Sequence, residues 1–282
     1  MHEKLKQKEK NKTTLLVFNI FIKHTLSQGL VHFDTALPLF STCRELHNKK
    51  KDCFKQQKLI ASITFQHNFL LLPEEIQKGI LRAANWVTSL TITHMAIKAS
   101  VLKNLLKKFH NLTALNLQES IISDSHLRYL SSCKKLQSLD ISLCENIHTQ
   151  ALQHLEGIPL QALNLLECRE IELTQKELPW IGSVRWLNLE GTRTTNETVQ
   201  AITEALTELE ELILNRCSIT DAAATCLFTH KRLRVLHLNN CKQVTPKIFS
   251  TAAFRENTVL ETVYFQKKAY HFPSARLKIS KW

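Results

Sequence analysis

The chain has 282 residues, 44% of them apolar and 22% charged, with a formal net charge of +12, enough length for one sizeable core and an ordinary folded composition. Its 5 glycines and 6 prolines leave almost no room for glycine-rich phosphate loops or proline-rich linkers. No apolar run approaches the roughly 20 residues that a helix needs to span a bilayer, so no membrane span is expected. Residues 1–60 hold 12 Lys/Arg against 5 Asp/Glu, and residues 1–13 read as a basic disordered tail. "TTLLVFNIFIKHTL" then reads as a first helix. Its stretch from Leu15 to Ile22 imitates a signal peptide, but it is short, interrupted by Asn19 and lacks a small-x-small cleavage site, so a buried helix is expected. Asp34 is placed to cap a second helix over "TALPLFSTCRELHN", and Asp52 a third over "CFKQQKLI". Residues 14–60 thus form a small helical segment, and residues 61–86 a helical linker or cap. Cys43, His47 and Cys53 lie in the first of these; without a fourth paired ligand they make a poor zinc site, and no metal or cofactor is expected.

From Val87 the sequence becomes periodic. Leu-x-x-Leu-x-Leu recurs as "LTALNL" from Leu112, "LQSLDI" from Leu136, "LQALNL" from Leu160 and "VRWLNL" from Val184. "LEELIL" from Leu209, "LRVLHL" from Leu233 and "LETVYF" from Leu260 continue it, and "VTSLTI" from Val87 is a weaker first copy. Successive starts are 25, 24, 24, 24, 25, 24 and 27 residues apart, a period that marks a repeat architecture. Alternation within each motif gives a half-buried strand. Between the strands lie helical patterns, "DSHLRYLSSC", "NETVQAITEAL" and "DAAATCLFTH", with Asp124, Asn196, Asp221 and Thr245 as expected caps, Pro246 following the last. A unit of one strand and one helix cannot bury its apolar face alone; stacking gives an arc with parallel strands inside and helices outside.

The ninth repeat position holds Met95, Ser120, Cys144, Cys168, Thr192, Cys217, Cys241 and Lys268. The interior copies are small and carry O–H or S–H, suited to donate to carbonyls buried where the strand turns away. No C-x-x-C pair exists for zinc. Thiols stacked at roughly the 5 Å strand spacing would point in parallel, which does not suit a disulfide. Packing cysteines of this kind imply a reducing compartment, hence a cytoplasmic location.

"LEELILNRC" followed by "SITD", and "LRVLHLNNC" followed by "KQVT", resemble the leucine-rich repeat family, in particular its cysteine-containing subclass. The resemblance covers about residues 87–268 and implies an α/β leucine-rich repeat solenoid, a curved parallel β-ladder with convex helices, that binds a protein ligand on its concave face. "TALPLFSTCRELHNKKKDCF" is similar to the latter half of an F-box through Leu37, Leu39, Cys43, Arg44 and Phe54. That resemblance implies binding to a Skp-type adaptor of a cullin ubiquitin ligase, and F-boxes are often joined to this repeat subclass. The same helices also read as a plain solenoid cap. The alternatives are then a substrate receptor, or an interaction scaffold without ligase coupling, including a secreted bacterial effector acting in a host cytosol.

Side chains between the leucines should face into the arc: Asn116, Asp140, Asn164, Asn188, Ile213, His237 and Tyr264, with Trp186, Glu190, Glu211, Asn215, Arg216 and Asn239 beside them. Trp186, an aromatic on a rigid ladder, is the expected hot spot. Residues 112–266 hold 14 Lys/Arg against 18 Asp/Glu, so the repeats are mildly acidic, while residues 267–282 hold 5 and none; residues 269–282 read as a basic tail. Basic ends without interleaved aromatics do not point to nucleic acid. No nucleophile is paired with a histidine in a recognisable order, and about 14 residues after the last repeat are too few for a catalytic domain, so no enzyme is expected.

Overall fold

In a computed structural model, which describes residues 31–32, 61–65 and 87–272, the leucine motifs become short strands because their odd and even side chains segregate. Every motif leucine in "LTALNL" is 2% exposed or less, while Ala114 and Asn116 between them stay half-exposed. The strands are β1 (Val31–His32), β2 (Ala61–Phe65), β3 (Val87–Ile92), β4 (Ala114–Asn116), β5 (Ser138–Asp140) and β6 (Ala162–Asn164). They continue as β7 (Trp186–Asn188), β8 (Glu211–Ile213), β9 (Val235–His237), β10 (Thr262–Phe265) and β11 (Lys268–His271). Among the described residues they form one sheet in sequence order, parallel throughout except for β11. This is a leucine-rich repeat solenoid.

The convex side is more varied than its patterns suggest. Helices α1 (Ala99–Lys108), α2 (Asp124–Leu127), α3 (Asn196–Ala205), α4 (Asp221–Leu227) and α5 (Ala252–Glu256) alternate with 3-10 turns at Thr149–Leu155, Leu178–Ile181 and Pro246–Ser250. Thr245 is the N-cap as expected, but the others lie one residue earlier, at Ser123, Thr195 and Thr220. The displaced residues serve the next repeat instead. Asp124 Oδ1 accepts from the His148 backbone (2.8 Å), Asn196 Oδ1 from that of Thr220 (3.0 Å), and Asp221 Oδ1 from that of Thr245 (2.6 Å). The first helical residue of one repeat thereby fixes the helix start of its neighbour.

Each strand from β3 to β10 is followed by a left-handed residue: His94, Glu119, Leu143, Glu167, Gly191, Arg216, Asn240 and Lys267 all have φ between 55° and 69°. Seven of these eight carry a side chain, at a cost of roughly 1 kcal/mol or more each. The turn keeps the ladder running, since Glu119, Leu143, Glu167 and Arg216 donate their N–H to the next repeat at 2.8–2.9 Å.

Three expectations are corrected. The helix foreseen over residues 61–86 opens with strand β2, because Ile60-x-x-Ile63-x-Phe65 is a further copy of the motif in which isoleucine and phenylalanine replace leucine. The ladder therefore starts before Val87, and β1 lies within the segment 14–60 read as helical. Finally, the basic tail placed at 269–282 begins with β11, which turns back antiparallel on β10. There Phe254 meets Phe228 and Phe272 edge-on at 5.1 Å, and Phe249 packs on Tyr270 at 4.9 Å, so aromatic side chains pack over the repeat of β10. The expected adaptor residues Leu37, Leu39, Cys43, Arg44 and Phe54, with His47 and Cys53, lie outside the described residues.

Candidate protein-binding face

Strand register sorts the open face of the sheet into columns. The first runs Ser89, Ala114, Ser138, Ala162, Trp186, Glu211, Val235, Thr262. The second runs Thr91, Asn116, Asp140, Asn164, Asn188, Ile213, His237, Tyr264. Two residues further along each strand, Gln118, Ser142, Leu166, Glu190, Asn215 and Asn239 form a third column. Small and polar side chains occupy the first two columns from β3 to β6. Bulk is concentrated from β7 to β10, in Trp186, Ile213, Val235, His237 and Tyr264.

The polar residues foreseen on this face divide by what they already hold. Asn116, Asn164 and Asn188 each accept, through Oδ1, the backbone N–H two residues on, at 2.8, 3.2 and 2.9 Å. Asp140 accepts from the N–H and hydroxyl of Ser142 and from the Asn164 amide. Asn215 and Asn239 accept from the backbone of the next repeat, at Asn239 (2.8 Å) and Lys267 (2.7 Å). These side chains shape the strand ends, and Asn188 is only 8% exposed.

The remaining residues are freer. His237 stacks on Tyr264 with centroids 4.2 Å apart, and its Nε2 lies 3.2 Å from Glu211 Oε1. Burial lowers the His237 pKa against the opposing pull of Glu211 and Glu190. Glu190 pairs with Arg216 Nε at 3.1 Å and accepts from the Asn215 amide at 2.9 Å. Arg216 also pairs with Glu167, which the leucine pattern did not single out. The two meet across Gly191: a Cβ there would lie 2.7 Å from the Glu167 carboxyl carbon. A glycine in the left-handed column, with Glu and Arg one repeat to either side, is the sequence signal for this strap.

Beneath the face, the ninth-position side chains reach back one repeat. Ser120 donates to the Ile92 carbonyl (2.8 Å), Cys144 to Leu117 (3.2 Å), Cys168 to Ile141 (3.1 Å), Cys217 to Leu189 (3.2 Å) and Cys241 to Leu214 (3.1 Å). Thr192 alone turns to its own repeat, donating to Leu189 (2.7 Å). Burial pushes the Cys168 and Cys217 thiols up to about 12, and those of Cys144 and Cys241 up to about 11, the reverse of what a nucleophile needs.

Among the described residues no group of three His, Cys, Asp or Glu could hold a metal, and no helix is long and apolar enough to cross a membrane. No family model matches the chain, and no curated protein matches it in sequence. Its fold is similar to solved structures. In the yeast Rad7–Elc1 complex the TM-score is 0.60 at 16% identity, over 88% of this chain and 65% of that one. In the Drosophila Toll–Spatzle complex it is 0.50 at 15% identity, over 73% and 26%. For internalin C2 of Listeria monocytogenes it is 0.48 at 16% identity, over 66% and 84%. The chain thus spans just under two thirds of the yeast relative's length, and identities this low establish shared fold alone.

Proposed function

We propose that this protein is a non-enzymatic, leucine-rich repeat binding module whose concave face, from β7 to β10, takes a protein partner. The observation that carries this reading is the segregation on that face: every bulky apolar side chain of its first two columns lies between Trp186 and Tyr264, on a sheet held rigid from below. Rigid, half-exposed aromatics beside polar groups are the composition of interface hot spots. The thiol column, which donates its protons to the backbone, supports the cysteine-containing subclass and a reducing, cytosolic setting. Capture from a eukaryotic lysate with the full chain tests the reading. Trp186→Ala is expected to weaken capture by at least about 2 kcal/mol, roughly thirtyfold, with an unchanged melting curve. Loss of stability with no loss of a partner would return Trp186 to a packing role.

A second reading makes the chain an F-box-type substrate receptor, coupled through residues 14–60 to a Skp-type adaptor. It is supported by the motif around Leu37, Leu39, Cys43, Arg44 and Phe54. Strand β1 favours the plain scaffold, because Val31 and His32 pair with β2 as a member of the ladder rather than of a separate bundle. Adaptor and cullin among the captured proteins, lost on deleting residues 1–60, would decide for the receptor; their absence decides for the scaffold.

A further inference from the structure

The three inner columns of the concave face carry Asp140, Glu190 and Glu211 and no lysine or arginine, on a chain whose net charge is +12. Two of these carboxylates are engaged. Asp140 is held by Ser142 and Asn164, and Glu190 by Arg216 and Asn215. Glu211 is different: its hydrogen bond among the described residues is to His237, whose pKa burial lowers although Glu211 and Glu190 face it, with Tyr264 stacked on the ring. Among the described residues no lysine or arginine pairs with it.

The surroundings of that charge are apolar. Trp186 is its register neighbour on β7, Val235 its neighbour on β9, and Ile213 follows two residues along β8. A carboxylate beside an indole suits an incoming ammonium or guanidinium, which pairs with the acid while its stem or planar group lies on the ring. Partial shielding from water makes such a pair worth more than one on open surface. Two acids one position earlier in their repeats, Glu210 and Glu261, each have a base in the preceding repeat, Arg185 and Arg234, at 3.5 and 2.7 Å. Glu211 occupies the adjacent column and, among the described residues, has only the His237 ring.

We propose that the notch formed by Trp186, Glu211 and Val235 receives a lysine or arginine of a partner protein, with apolar residues flanking it in the partner's chain resting on Ile213 and Tyr264. This rests on the concave face being the binding face.

The test is to pan a random peptide-display library against the full chain. Selected peptides should carry a basic residue next to apolar ones. They should bind Glu211→Gln about tenfold more weakly, as expected for one charge-assisted contact, and Trp186→Ala more weakly as well. Gln118→Ala, on the polar half of the face, should leave binding unchanged, and Glu211→Lys should shift selection toward acidic peptides. Glu211→Gln is isosteric and half-exposed, so its melting curve should match the parent's. Peptides without basic residues that are still displaced by Trp186→Ala would overturn this inference and leave the binding face standing. Peptides indifferent to every concave substitution would overturn both.

Discussion

A buried thiol that donates to a carbonyl of the preceding repeat has a structural use for its proton. Losing that proton would place a thiolate against a carbonyl oxygen in a dry stack. Because the folded pKa values of Cys144, Cys168, Cys217 and Cys241 lie at about 11 to 12, above the ordinary thiol value, folding favours the protonated form. Their contribution is complete below the unfolded thiol pKa and is lost as pH rises through the folded values. Stability should therefore fall above pH ~9, and native protein should resist thiol-labelling reagents until unfolded. Rapid labelling of all four in the native state would refute the packing role. His230 shows the opposite sign. It is 4% exposed; Nε2 donates to the Leu206 carbonyl (2.9 Å), and Nδ1 accepts the backbone N–H of Arg232 and Leu233. Burial lowers its pKa, so its contribution is complete above the ordinary imidazole value near ~6.5 and is lost as pH falls from there through the lowered folded value. One repeat later Asn257 does the same work with an amide, donating to the Phe228 carbonyl and accepting from Val259 and Leu260. His230→Asn should thus fold, and should reduce the loss of stability between pH 7 and 5 in thermal melts. The small donors at position nine were legible from chemistry alone. His230 was not, because a histidine spaced from no other ligand says nothing of the carbonyl above it.

The elements owe their legibility to what each repeats. Leucine columns were readable from Leu112 to Leu260 because every copy buries the same three positions. Strand β2 was not, since Ile63 and Phe65 stand in register with Leu90 and Ile92 where leucine was sought. The left-handed turns escaped for a related reason: with Gly191 the single glycine among eight, the usual marker of positive φ was missing, and inter-repeat hydrogen bonds enforce the conformation instead. The cap assignments missed by one residue because Asp and Asn at the first helical position look like caps while bonding to the next repeat. Asp221 is the fullest case, accepting from both the N–H and the hydroxyl of Thr245. Asp221→Ala should cost about 1–2 kcal/mol in chemical denaturation, as a cap does, but the damage should lie in the following repeat. Faster amide exchange at Thr245 to Ile248 than within α4 would show it; the reverse order would make Asp221 an ordinary local cap.

Across the whole molecule, the candidate site was legible as positions and illegible as roles. Counting from the leucines put Asn116, Asp140, Asn164, Asn188, Ile213, His237 and Tyr264 on one face, and the register agrees. Which of them are already bonded to their own backbone depends on side-chain geometry that spacing does not carry. Val235 and Glu167 were passed over because an aliphatic and an acid between leucines look ordinary in a single copy. Their meaning comes from neighbours 24 and 49 residues away.

The strap from Arg216 to Glu167 bears on how the protein comes apart. In a stack where each unit touches only the units beside it, opening is a nearest-neighbour process and can spread one repeat at a time. Among the described side-chain hydrogen bonds and ion pairs, the Arg216–Glu167 contact is the one that skips a unit, passing over Gly191 to join the repeats of β6 and β8. Through Glu190, Arg216 also holds the repeat between them. Three consecutive repeats are thereby tied at one guanidinium, so they should exchange their amides as a block. Gly191→Ala should push the Glu167 carboxylate aside and release the outer tie. The expected result is a stability loss of about 1 kcal/mol and three separate exchange rates in place of one. Glu167→Gln in the Gly191→Ala background should then add little, and full additivity of the two changes would show that the strap couples nothing.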